Sequence, residues 1–308
     1  MYDIPILIIV FNRPGKFQKL IYNLKKIKPN KVYIFADGPR SNNNDDLKLC
    51  KKTRTIVSEI NWQCKIKSFF LNKNSGVDLG VYSAINWFFK HEEFGIILED
   101  DCIPTKDFFK FVRLIKKKYS KKNNIGIISG NNFIKTKNKY SYFFSKWPHT
   151  WGWATWKKNW DKFDYEINFW KKFKTDDKWK KLNQDFCAYK TFNHVYDFSL
   201  NKKKKNLVTW DYRWMLYLWY NNFINIIPKY NLVKNIGFDD DATHTFVNNK
   251  KLELDTKVLK FPLKHPKIIR KNFTLDNKIF YNVYYNKKNL IIEYLKKVKF
   301  KVINLFYE

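Results

Sequence analysis

The stretch GIILEDDCIPTKDFF, Gly95 to Phe109, carries the chain from an apolar run through three adjacent carboxylates towards a helix. The apolar part reads as a buried strand, and Glu99, Asp100 and Asp101 stand side by side at its carboxyl end. Neighbouring carboxylates repel one another and are costly to bury unless a cation sits among them. A Mg²⁺ or Mn²⁺ ion with oxygen ligands, completed by diphosphate oxygens and water, meets that need. An acidic loop after a strand, or carboxylates favouring a helix N-terminus, accounts for the run equally well on its own.

Working outward, strands and helices alternate on both sides of this stretch. ILIIVF (Ile6 to Phe11) reads as a strand, and GKFQKLIYNLKKIK then places Phe17, Leu20, Ile21, Leu24 and Ile27 at helical spacing. KVYIFADG, LKLCKKTRTIVSEI, KIKSFFLN and LGVYSAINWFFKH continue as strand, helix, strand and helix, and KDFFKFVRLIKKKY and IGIISG follow as helix and strand. This rhythm predicts an α/β fold with a mainly parallel, doubly wound sheet covered by helices on both faces. Ligands bind such sheets at the carboxyl ends of the strands, near the switch in strand order. That rule points to Asn12 and Arg13, to Asp37, Gly38 and Arg40, to the segment NKNSG, and to the acidic run. The glycines of NKNSGVDLG lack a full phosphate-loop pattern and fit a plain loop-to-helix connection.

After Gly130 the rhythm fades, and SKWPHTWGWATWKKNW packs five of the twelve tryptophans into one segment. Short helices and an irregular or antiparallel sheet are expected here, within a single compact unit. The tail KKNLIIEYLKKVKFKVINLFYE alternates apolar and basic residues; it suits an acidic membrane surface or packing on the body.

The 308 residues include 60 Lys and Arg against 28 Asp and Glu, a formal charge of +32, with 44% hydrophobic residues. So much apolar material excludes a disordered polycation. The charge fits polyanionic partners, and it fits equally the codon bias of an AT-rich genome. Only six of the basic residues are arginines, and Arg13, Arg40 and Arg213 fall inside motifs. Cys50, Cys64, Cys102 and Cys187 show no metal-ligand spacing, and with no signal peptide read at the start a reduced, cytoplasmic protein is expected.

FNRP, ADG, ILEDDCIPTKDFF, TWGWATW, WDYRW, NIGF and TH, taken in order, resemble glycosyltransferases of the GT-A fold. The bacterial branch related to family 2 is the most similar, and the acidic run also resembles the N-acetylglucosaminyltransferase I family. The resemblance spans about Pro5 to Thr245. It implies a GT-A type, Rossmann-like sheet with a C-terminal acceptor-side subregion. Residues 1–130 would bind the nucleotide sugar, 131–250 would form the acceptor-binding and catalytic half, and 251–308 a C-terminal extension.

The same resemblance implies a metal-dependent, inverting transfer from a nucleotide-diphosphate sugar to a capsule or lipooligosaccharide acceptor, with Mn²⁺ or Mg²⁺ as cofactor. Asp37 would contact the base, Arg13 the base or phosphates, and Asp100 the ribose, while Asp101 and His244 would hold the metal. Asp211 would be the general base, a residue type and place that also suit a helix N-terminal cap. Arg213 would bind diphosphate or orient Asp211. Trp151, Trp153 and Asp240 would meet the acceptor, with His149 beside them, although large aromatics are more often core. Donor, lipid-linked acceptor and inner leaflet are all anionic, so peripheral attachment to the inner face of the cytoplasmic membrane is expected. A basic nucleic-acid-binding protein and a nucleotidyltransferase on a similar sheet are the competing readings, and no nucleic-acid motif supports the former.

Overall fold

The computed structural model describes residues 1–199, 209–238 and 254–285. The alternation in the first half appears as β1 (Ile6–Val10), α1 (Pro14–Lys25), β2 (Lys31–Ala36), α2 (Asn44–Thr55), β3 (Lys65–Phe70), α3 (Gly76–Phe89) and β4 (Phe94–Glu99). A short β5 (Cys102–Pro104) then leads into α4 (Lys106–Tyr119) and β6 (Ile125–Ser129). Local chemistry explains the boundaries. Pro14 opens α1, where its missing N–H costs nothing, and Phe17, Leu20, Ile21 and Leu24 are buried, whereas Ile27 lies past the helix end. The second helix begins three residues before the apolar pattern suggests, because the Asn43 side chain accepts from the N–H groups of Asp45 and Asp46. Thr105 caps α4 by accepting from Phe108 N–H.

The second half supplies β7 (Tyr142–Ser145), β8 (Trp153–Trp156), α5 (Lys157–Trp160), α6 (Trp170–Phe173), α7 (Asp177–Leu182) and α8 (Phe186–Ser199). It continues with α9 (Trp210–Tyr220), β9 (Ile224–Pro228), β10 (Val233–Asn235) and α10 (Phe273–Ile279). One eight-stranded sheet runs through both halves in the order β3-β2-β1-β4-β8-β6-β9-β7, and only β7 and β8 run against the rest. The fold is therefore the mixed, mainly parallel α/β type expected. Of the irregular or antiparallel sheet expected after Gly130, the antiparallel strands are present as β7 and β8, but they belong to this same sheet: β8 inserts between β4 and β6, so the strands of residues 1–130 are not contiguous in it.

Side chains of alternate parity separate into two cores, as period-two strands require. Ile6, Ile8, Val32, Ile34, Ile96 and Leu98 pack with α1 and α4 on one face. Leu7, Ile9, Phe35, Ile97 and Trp153 pack with α3 and α9 on the other. β3 forms one edge, largely exposed and carrying Lys65 and Lys67, which discourages further strand pairing, and β7 forms the other. A third, aromatic core joins α6, α7, α8, α9 and α10 through Trp147, Trp170, Trp179, Trp219 and Phe280. Residues 254–285 pack on the body: Leu259 and Leu263 are buried, and Asp276 accepts from Ser145 Oγ and Lys146 N. The tail beyond residue 285 and the lysine run 202–205 lie outside the described residues. Among the described residues no helix is long and apolar enough to cross a membrane.

Candidate active site

The chain leaves β1 towards β2 and β3 and returns across it to β4, so the order reverses between β1 and β4. A crevice at the carboxyl ends of two such strands is the usual ligand site of open α/β sheets. Arg13 follows β1 and the acidic run ends β4, and the structure joins them there. Arg13 Nε donates to Asp100 Oδ2 at 3.2 Å and Nη1 to Asp101 Oδ2 at 3.0 Å, while Nη2 contacts Asp100 Oδ1. Asp100 is 1% exposed and Asp101 13%.

One guanidinium faces three carboxylates, and the imbalance sets their titration. Burial pushes Glu99 up to about 8, reinforced by the Asp101 charge and opposed by Arg13. Burial also raises Asp100, with Arg13 pulling the other way. The two-pronged contact with Arg13 favours the charged form of Asp100, while crowding by Asp101 and Asp100 favours the neutral form of Glu99. Burial works against the Arg13 charge, but Asp100, Asp101 and Glu99 outweigh it and raise its pKa.

A small second sheet roofs this cluster. β10 pairs antiparallel with β5, setting Asn235 opposite Cys102, and Ile236 N donates to Asp101 O at 2.9 Å. Gly237 then passes so close that a Cβ there would lie 2.4 Å from Asp101 Oδ2. The NIGF segment thus needs glycine for a close approach to the acidic run.

Asp211 lies in the first turn of α9, whose N-cap residue is Thr209. Its carboxylate accepts from Thr209 Oγ1 and from the backbone N–H of Tyr212. Burial raises its pKa and these hydrogen bonds lower it, and its charge reaches Glu99. Asp211 therefore satisfies the helix start. Arg213, 4% exposed, donates to Tyr165 O at 3.2 Å, lies over the Tyr165 ring and sits 4.0 Å from Asp78 Oδ2. It braces α9 against α3, since Tyr165 also donates to Asp78 Oδ2 at 2.6 Å.

Asp37 is 7% exposed and saturated by its own loops. It accepts from Gly38 N, from Ser75 N and Oγ, and from Asn74 Nδ2, at 2.8 to 3.0 Å. Beside it Asp46, which drew no notice in the sequence, accepts from Asn12 Nδ2 at 2.7 Å and pairs with Arg40. Trp151 is half-buried, with its ring 4.9 Å from Phe133 and 5.5 Å from Phe238. Trp153 is a correction: it is 1% exposed on β8, packed on Trp160, Trp210 and Trp214, and presents no face to an acceptor. Gly152 between them has φ +69, a left-handed turn that favours glycine. His244 and Asp240, with Asp239 and Asp241, lie outside the described residues.

Sequence reasoning passed over Asn131. It stands just past β6, 2% exposed, with neither side-chain polar atom hydrogen-bonded, beside His149. The strand-end rule applied to IGIISG would have found it. Among the described residues no three acidic, histidine or cysteine side chains assemble into a metal cage of their own.

No protein-family model matches the chain, and no curated protein matches it in sequence. Three-dimensional matches are partial. The mannosyltransferase PcManGT from Pyrobaculum calidifontis, in complex with GDP-Man and Mn²⁺, is 12% identical over 51% of this chain and 45% of its own, with a TM-score of 0.34. HddC from Yersinia pseudotuberculosis is 15% identical over 56% of this chain and 87% of its own, at 0.34. A glucose-1-phosphate thymidylyltransferase of Bacillus anthracis, described as putative, is 10% identical over 54% of this chain and 75% of its own, at 0.32. The match thus spans less than half of the mannosyltransferase, and likenesses this partial assign no activity to this chain.

Proposed function

We propose that the protein is a metal-dependent, inverting glycosyltransferase of the GT-A type that uses a nucleotide-diphosphate sugar and builds a bacterial surface glycan such as capsule or lipooligosaccharide. One observation carries the reading: the strand ends at the switch in strand order bring Arg13 between Asp100 and Asp101. In this reading Arg13 and Asp100 bind the donor, Asp37 shapes the base pocket, and Arg213 holds α9 in place behind Asp211.

Hard carboxylate oxygens suit a divalent ion, and Asp101 keeps an exposed edge, 13%, on which one could rest with substrate oxygens completing its shell. The residues present therefore fit an ion brought in with diphosphate better than a closed protein cage. His244 would be a further ligand. Bound there, the ion would neutralise charge on the departing diphosphate. Arg13 is placed to share that task by exchanging a carboxylate contact for a phosphate oxygen. Asp211 would take the proton of the acceptor hydroxyl, and a carboxylate raised by burial is the stronger base for it. Surface charge and the lysine-rich C-terminal residues favour attachment to an anionic membrane face.

A thermal-shift panel tests the reading: nucleotide-diphosphate sugars, nucleoside triphosphates and an oligonucleotide, each with and without Mn²⁺. A donor at a hundredfold over its Kd should stabilise the fold by about 2.7 kcal/mol. A Mn²⁺-dependent shift with one nucleotide sugar, lost in Asp101→Ala, is the expected result. A shift confined to triphosphates would move the assignment to nucleotidyl transfer, and one confined to the oligonucleotide to nucleic-acid binding.

A further inference from the structure

Asn131 and His149 are buried polar residues that the proposed chemistry leaves unused. Each is 2% exposed, and Asn131 Nδ2, Asn131 Oδ1 and His149 Nε2 all lack a hydrogen-bond partner. Unpaired buried polar atoms are destabilising, and nothing in the packing of β6 requires an amide there. Such atoms are spare hydrogen-bonding capacity.

Their chemistry is specific. His149 Nδ1 lies 3.3 Å from the Asn131 carbonyl, which can only accept, so Nδ1 carries the hydrogen. Burial holds the ring neutral by lowering its pKa to about 4, with that hydrogen bond opposing. Nε2 is therefore a bare acceptor, while the Asn131 amide both donates and accepts. A vicinal diol matches this pair: one hydroxyl donates to Nε2, and its neighbour bonds to the amide.

The ends of β4 and β6 lie two strands apart, with β8 between them. Ile97, Trp153 and Ser129 face one another across β4, β8 and β6, and the bond from Gly130 N to Gly152 O at 2.7 Å continues the ladder. Two residues on, Glu99 ends β4 and Asn131 lies just past β6, whereas the left-handed turn at Gly152 carries Trp151 to the other face, against the core of α1 and α4. An aromatic row links His149 to the acidic run: Phe133 lies 4.7 Å from His149 and 4.9 Å from Trp151, which meets Phe238 next to Gly237 and Asp101. Aromatic walls over a floor of fixed polar groups are how proteins bind compact polar ligands.

We propose that Asn131 and His149 form the floor of a subsite for one sugar ring, gripping a vicinal diol beneath Trp151 and Phe133, and that this ring belongs to the acceptor. Naming it the acceptor's rests on the transferase reading; the sugar-binding chemistry does not. Entry requires Phe133 and Trp151 to part.

The test uses the full chain labelled with ¹⁵N-histidine, whose five histidines are few enough to resolve, with His149 identified by its loss in His149→Gln. Methyl glycosides of glucose, galactose, mannose and N-acetylglucosamine are titrated, with a fully O-methylated glucoside as control. The expected result is a saturable movement of the His149 Nε2 resonance with at least one glycoside and none with the control. Asn131→Leu should abolish that movement while its melting temperature stays equal or rises. A resonance that no glycoside moves, or that moves equally in Asn131→Leu, overturns the proposal and leaves a buried water as the occupant. Glycoside binding in a protein that no nucleotide sugar stabilises would keep the subsite and remove the transferase reading; the reverse would remove the subsite alone.

Discussion

The strand ends around β1 and the strand end of β6 treat buried polar side chains in opposite ways. Around β1, Asp37 and Asp46 are ringed by donors, and Asp100 and Asp101 share the Arg13 fork. Past β6, the Asn131 side chain and the outer nitrogen of His149 have no hydrogen-bond partner. The first arrangement spends polar groups on holding loops and charges in position, and any ligand must displace or join existing bonds. The second holds unused donors and acceptors ready, at a cost in stability. A site that binds a charged group beside a neutral polyol needs both kinds of surface, one electrostatically balanced and one unsatisfied.

The sharpest test of the reading is at Asp211, the proposed base. Asp211→Asn keeps the shape and the helix-start hydrogen bonds but removes the base. Transfer should fall by roughly 10²- to 10⁴-fold in kcat, with little change in KM for the donor. A kcat within about threefold of the native value would place the base elsewhere and leave Asp211 as a helix-start residue alone.

Arg13→Met probes the balanced side by itself. It leaves Asp100 buried without its partner, and removing one member of a buried ion pair costs about 3–5 kcal/mol. Urea unfolding should show the midpoint falling with the slope unchanged. A loss under about 1 kcal/mol would mean that the pair behaves as a surface one, and the contrast between the two rims would fail.

The unsatisfied side answers to acid. The folded-state pKa of His149 is lowered to about 4, whereas the unfolded chain takes up the proton near the usual 6.5. Stability from this residue is therefore present above pH 6.5 and is lost as pH falls towards 4, by about 1.4 kcal/mol for each pH unit. Glu99 works in the opposite sense: its raised pKa favours the fold below about 4.5, an advantage lost as pH rises to 8. The difference between the native protein and His149→Gln isolates the histidine. If the two unfold in parallel across pH 6.5 to 4, His149 is not held neutral by burial.

Much of the balanced side was legible in the chain. Period-two and helical patterns located β1 to β4 and α1 to α4, and the strand-end rule singled out Asn12, Arg13, Asp37 and the acidic run before any coordinates. The other side was not. Trp151 and Trp153 look alike in the string WGW, and in a regular strand they would share a face, yet the left-handed turn at Gly152 leaves Trp151 half-buried against one core while Trp153 is sealed into the other. Nothing near Gly237 announces that β10 will pair with β5 and press this glycine onto Asp101.

The sequence by itself determined the α/β character, the chain order of β1 to β4 and β6, and the placing of carboxylates and Arg13 at strand ends, because side-chain periodicity and turn chemistry are local; it did not show the short β5. Only the tertiary structure decided that β8 runs backwards between β4 and β6, that Arg13 closes on Asp100 and Asp101, and that Asn131 meets His149 with atoms to spare. Those outcomes depend on which distant segments pair and in what register, a choice set by burying apolar faces across the whole sheet and written in no single stretch of the chain.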